Sequence, residues 1–135
     1  MTLCQTRKHE VQSLFDAEAF VLNYKQSKQI SNHKYYEKFK DSVATAERLG
    51  SDIGLYASRI ASILNHIAVN PDVPTAVERA AARNTATDEY FAICFLMNSD
   101  ERRYGGLICD IENEHTRGSN THPDTLTGAY DYLVN

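Results

Sequence analysis

Apolar residues recur along this chain at helical spacing, with polar breaks between the runs. Between residues 11 and 29, Leu14, Phe15, Phe20, Val21 and Tyr24 fall near one helical face. Ser31 is placed to cap a second helix, its hydroxyl accepting from a first-turn amide. In that helix Tyr36, Phe39, Val43 and Ala46 repeat at i, i+3, i+7 and i+10, and Gly50 supplies a left-handed stop. After Ser51-Asp52 a third helix carries Tyr56, Ile60, Ile63 and Ile67, spaced 4, 3 and 4 apart. Asn70-Pro71-Asp72-Val73-Pro74 is the clearest break, and Thr75 with Glu78 has the spacing of a capping box. A fourth helix then runs to about Met97, small at Ala80-Ala81-Ala82 and bulky near its end. A fifth starts near Ser99-Asp100 and stops before Gly118, with Tyr104, Leu107, Ile108 and Ile111 as its stripe. A last helix begins near Thr125 and turns Leu126, Tyr130 and Leu133 inward.

The pattern predicts an all-α fold, a small bundle of about six helices with no sheet. An N-terminal part, residues 1–69, and a C-terminal part, residues 70–135, are expected to form one unit. The expected core is Phe39, Val43, Ile60, Ile63, Phe95, Leu96, Leu107, Ile108, Ile111, Tyr130 and Leu133. Gly105-Gly106 lies inside the fifth helix. Each glycine there costs about 1 kcal/mol of helical stability against alanine. That points to close approach by another helix, or to a kink.

Composition narrows the class. A chain of 135 residues, 42% hydrophobic and 24% charged, has material for one core in a soluble protein. The most apolar run, Tyr90 to Met97, is too short to span a bilayer. The start is polar, with Arg7, Lys8 and Glu10, and does not read as a signal peptide. Cys4, Cys94 and Cys109 are widely spaced, and N-x-S/T sequons are missing, which together point to a reducing, cytoplasmic setting. The net charge of −4 is uneven. Up to Ile67 nine Lys/Arg and seven Asp/Glu give +2, and from Ala68 five Arg and eleven Asp/Glu give −6. The acidic half is a poor surface for phosphate. The asymmetry reads either as solvated surface or as complementarity between halves of neighbouring subunits.

Candidate chemistry is sparse. Cys109, His115 and His122 do not have zinc spacing, and a site would need a fourth ligand such as Cys94. Cys94 and Cys109 are expected to be small buried hydrophobes. Asp110, Glu112 and Glu114 read as a solvated acidic face, and Asp100-Glu101 as first-turn acids at the positive end of a helix dipole. Arg102 and Arg103 beside those acids make a weak phosphate site. No catalytic grouping, cofactor motif or small-molecule site emerges, so an enzyme is not expected.

Three stretches share wording with a known family. They are Tyr35-Tyr36-Glu37-Lys38-Phe39, then Ala92 to Asn113 with Phe95-Leu96, Asp100, Arg103-Tyr104-Gly105 and Leu107-Ile108, and then Pro123 to Tyr130. Their order resembles the Gag capsid region of copia-type LTR retrotransposons, read as "YxxxF", "AxxFLxxxDxxRYGxLIxxxEN" and "PxTxTEAY". The likeness runs from about Leu14 to Val134 and is loosest from Ser58 to Thr87. It implies a retrotransposon capsid-like fold that self-associates into virus-like particles around element RNA. The alternative is a Gag-derived adaptor that binds other proteins without assembling. Departures are Gly128 where the family has the acid of a capping box, and Gly106 at a basic position. The zinc knuckle through which the family binds RNA is not found here.

The resemblance places self-association in the C-terminal helices, with Arg103, Tyr104, Tyr132 and Leu133 as interface candidates. Tyr130 and Tyr132 stand about 200° apart on a helix. Tyr132 is expected to point outward, into a two-fold contact with a second copy.

Overall fold

The computed structural model describes residues 3–100, 105–106, 109–110 and 123–134. Among them are five α-helices and no strand: α1 Leu3–Asn23, α2 Asn32–Arg48, α3 Ala57–Ile67, α4 Ala76–Met97 and α5 Leu126–Val134. The expected fifth helix of the sequence falls largely outside the described residues, with Leu107, Ile108 and Ile111. Residues 105–106 and 109–110 are helical.

Local chemistry sets the helix ends. The Ser31 hydroxyl accepts from the Lys34 amide at 3.2 Å, which satisfies a first-turn donor of α2. At the other end the Gly50 amide donates to the Glu47 carbonyl and the Ser51 amide to the Ala46 carbonyl, both at 3.0 Å. That pair of bonds is a Schellman stop, and it needs the left-handed φ of 93° that Gly50 adopts. The capping box at α4 is complete. Thr75 Oγ1 accepts from the Glu78 amide at 3.1 Å, and Glu78 Oε1 accepts from the Thr75 amide at 2.8 Å. At α5 half of such a box survives, because Thr125 Oγ1 accepts from the Gly128 amide at 3.0 Å while Gly128 has no carboxylate to return the bond.

The main core is aromatic. Val21 of α1, Tyr35, Phe39, Val43 and Ala46 of α2, Phe91, Ala92, Phe95 and Leu96 of α4, and Ala129 and Leu133 of α5 form one buried cluster. Residues from both sides of position 70 therefore share one interior. Tyr35 lies at its centre. Its ring stacks on Phe95 with centroids 4.5 Å apart, and its hydroxyl donates to the Phe95 carbonyl at 2.7 Å. The stripe of α2 is rotated from the one read in sequence. Tyr35 is fully buried and Tyr36 half-buried, because the inward set runs i, i+4, i+8, i+11 from Tyr35.

A second, smaller core joins α3 to the first half of α4 through Ile63, Ala82 and Ala86. Small side chains on α4 let α3 lie close. The α3 stripe is only partly used. Ile63 is buried and Ile60 half-buried, but Tyr56 and Ile67 are exposed. α3 and the first half of α4 thus form an arm, since Val77 lies roughly 20 Å along the axis from Phe91 at 1.5 Å rise per residue.

The glycine pressed against a neighbouring helix is Gly54. It is buried, takes φ 87°, and would bring a Cβ to 3.2 Å from the Thr87 Cα. The expected site of close packing differs, since a Cβ at Gly106 would meet open space. A polar clamp closes the bundle near the end of α4. Buried Gln26 donates to the Ile30 carbonyl and Asn32 Oδ1, and accepts from the Asp100 amide at 3.0 Å. Its own amide donates to the Asn98 carbonyl, and Asn98 Nδ2 donates to the Leu22 carbonyl at 3.0 Å. Asp100 is correspondingly buried.

Two predictions follow from this packing. Phe95→Ala is expected to cost about 3–5 kcal/mol in urea denaturation, the range for an aromatic core truncation. Ile67→Ala, at an exposed position, should stay within about 0.5 kcal/mol; equal losses would refute the division between core and arm. Burial, with smaller contributions from Cys94 and Tyr24, pushes the Tyr35 phenol well above its ordinary ionisation range. The folded state therefore requires the neutral phenol, so its contribution is complete below the unfolded value of about 10 and declines as pH rises beyond it. Tyr35→Phe should lower stability at neutral pH by about 1–2 kcal/mol and flatten the alkaline loss. An unchanged alkaline slope in denaturation from pH 9 to 12 would show that Tyr35 is not its source (pH bracketing the value of about 10 for free tyrosine).

Candidate functional site

The interface candidates of the sequence divide three ways. Arg103 and Tyr104 lie outside the described residues. Leu133 is only 6% exposed, and its side chain belongs to the monomer's own core. Tyr132 is half-buried and packs against that core, so it is not the outward residue expected. The reason is geometric. Ala129 and Leu133 take the inward face of α5, which leaves Tyr130 and Tyr132 about 80° to either side of it. Neither points straight in or straight out, and both end half-buried.

Tyr130 is the better anchored of the two. Its ring stacks on Tyr36 at 4.5 Å, and the Tyr36 hydroxyl lies 3.3 Å from Thr127 Oγ1. Lys40 Nζ sits 5.2 Å from the Tyr36 ring centroid, within cation–π range. This ladder fixes α5 on α2.

Other expected features also move. Cys109 is exposed, not a buried hydrophobe, while Cys94 is half-buried with its thiol pushed up by desolvation. Asp110 is exposed, and His115, His122, Glu112 and Glu114 lie outside the described residues.

Two surfaces that sequence reasoning missed stand out. The first is the tip of the α3–α4 arm. Val69 is 97% exposed, Val73 70% and Val77 80%. Their backbone is held by hydrogen bonds. Glu78 Oε2 accepts from the Val69 amide at 2.9 Å while its other oxygen caps α4 at Thr75. The Val73 amide donates to the Asn70 carbonyl at 3.0 Å, and the Asp72 amide to Asn70 Oδ1 at 3.2 Å. The two backbone bonds it accepts hold the Glu78 carboxyl below its usual range. The available signal was Val69, Val73 and Val77 at i+4 spacing across a break with two prolines, where no single helix could bury them.

The second surface is a groove of about 330 Å³ between α1 and α2, lined by Ala17, Phe20, Lys38, Asp41, Ser42 and Thr45. Phe20 stacks on Tyr24 at 5.0 Å and forms the apolar wall, with Lys38 Nζ 6.0 Å from its ring centroid. Beyond the groove, Val11 and Phe15 of α1 are also exposed. Near the base of the arm Arg59 donates two hydrogen bonds to Glu89, at 2.8 and 2.7 Å, which ties α3 to α4. Compared with known proteins, the chain matches no family model, no curated protein and no solved structure.

The α5 geometry carries a prediction. Tyr132→Ala should destabilise the monomer by about 1–3 kcal/mol, as a half-buried aromatic does, and leave its sedimentation coefficient unchanged. An unaltered unfolding midpoint would return Tyr132 to the outer surface.

Proposed function

We propose that this chain is a structural domain of the Gag capsid type, without enzymatic activity, which self-associates into particles around element RNA. One observation carries the reading: where the shared motif residues sit. Tyr35 and Phe39 of the first motif, Phe95 and Leu96 of the second, and Ala129 of the third are buried in one cluster, with Tyr130 packed on it. Residues scattered across the sequence thus converge on packing. A signature made of core residues describes an architecture, and a protein of this kind acts through its outer surface. The exposed valines of the arm tip and the exposed Val11 and Phe15 of α1 supply apolar surface for such contacts.

The adaptor reading has an observation of its own. Leu133 and Tyr132, expected at a contact between copies, are packed in the monomer. If α5 is wholly used in this way, a foreign partner could take the remaining surfaces instead. RNA would be held weakly by these residues, because the acidic half repels phosphate. None of the described helices is long and apolar enough to cross a membrane.

Sedimentation velocity over a range of concentrations, with negative-stain microscopy at the highest, separates the two. Concentration-dependent growth into oligomers or particles is the expected result. A chain that stays monomeric at high micromolar concentration would put the adaptor ahead.

A further inference from the structure

The arm tip and the α1–α2 groove both offer apolar side chains, and they differ in charge. The tip exposes Val69, Val73 and Val77 and carries Asp72 beside Val73. The groove is concave, has Phe20 and Ala17 as apolar wall, and carries Lys38. The half of the chain bearing the tip has a net charge of −6, and the half bearing the groove +2. The tip is also ordered before it meets anything. Glu78 accepts from both Val69 and Thr75, and Asn70 from Asp72 and Val73, so docking loses little backbone freedom.

We propose that the α3–α4 tip of one copy docks in the α1–α2 groove of the next, valines against Phe20 and Asp72 against Lys38. The proposal rests on the self-association reading and names the contact that performs it. A groove of about 330 Å³ has room for small branched side chains such as valine. The groove is not purely basic, since Asp41 lines it too; Arg79, exposed just inside α4, provides the tip with the opposite charge. A mixed pattern of this kind selects one orientation and opposes the reverse one.

The two surfaces are different, so the contact is heterologous. Each copy offers one tip and one groove, and pairing leaves both types free at the ends. Such a contact closes a ring or extends a filament, and does not stop at a dimer. This differs from the two-fold contact through Tyr132 expected from sequence.

Complementation tests it. Val73→Asp removes the tip and leaves the groove; Thr45→Glu obstructs the groove and leaves the tip. Circular dichroism and thermal melting first check that each variant folds as the wild type does. In sedimentation velocity the wild type should grow with concentration, and each variant alone should associate at least tenfold more weakly. Mixed together, the variants should form a 1:1 dimer and nothing larger, since each has one working surface. Charge reversal gives an independent arm should Thr45→Glu fail to fold. Asp72→Lys should weaken association, and Asp72→Lys with Lys38→Glu in the same chain should restore it. Growth of both variants like that of the wild type, or no rescue by the double reversal, would overturn the tip-in-groove contact and leave self-association standing. A wild type that never associates would remove both.

Discussion

Tyr35 couples two helices in two ways at once. Its ring lies flat on Phe95, and its hydroxyl reaches the carbonyl of the same residue, 60 positions away in sequence. Stacking fixes the distance between α2 and α4, and the hydrogen bond fixes their sliding. Phe39 then meets Phe95 edge-on at 5.5 Å, and Tyr24 brings α1 to the other side of Tyr35 at 5.7 Å. α5 joins through the neighbouring residue of α2, Tyr36, stacked on Tyr130. Four helices therefore take their positions from one turn of α2. A buried hydroxyl without an acceptor would be unfavourable in this interior, so the helix that stacks on Tyr35 must also present a carbonyl to it.

The polar clamp solves a related problem. Where the α1–α2 connection crosses the end of α4, backbone groups leave water without a helix to pair them. Gln26 and Asn98 supply those partners from their side chains and backbones. Aromatic packing decides which helices touch, and this network decides where the chain leaves the bundle. The arm meets the aromatic core at its base, where Tyr56 lies on Tyr90 with centroids 5.4 Å apart and Tyr90 packs against the main cluster. It is held by its small core, by the Arg59–Glu89 pair and by the close seat of Gly54.

Much of this was legible in the residues themselves. Ser31, Gly50, Thr75 and Glu78 announced their caps because each motif is local, needing only a hydroxyl, a carboxylate or a free φ at a fixed offset. Phe39, Val43, Ile63 and Leu133 are legible as interior from period, and Phe95 and Leu96 from the bulky apolar run that ends α4. The failures needed tertiary information. Tyr36 and Tyr35 both fit a helical stripe, and only the location of Phe95 chooses between them. Tyr130 and Tyr132 looked like an inside and an outside residue until Ala129, too small to attract notice, took the inner face. Gly54 sat in a loop with no periodicity, so nothing in sequence marked its closeness to Thr87. The valines of the tip resembled punctuation around two prolines. Their exposure is a property of where the arm ends, which no local pattern records.

The arm's separate core has a consequence for how the molecule breathes. Ile63, Ala82 and Ala86 are fewer and mostly smaller than the residues of the aromatic cluster, and α4 joins the two, its first half in the small core and its second half in the aromatic one. Amides of α3 can therefore open to solvent exchange while those of α2 stay closed, because opening one region need not disrupt the other. Among the described residues, the most exposed large apolar side chains, Val69, Val73 and Val77, are mounted on this arm. Whatever covers that tip would slow exchange along α3, raising the local stability of the arm toward that of the whole fold.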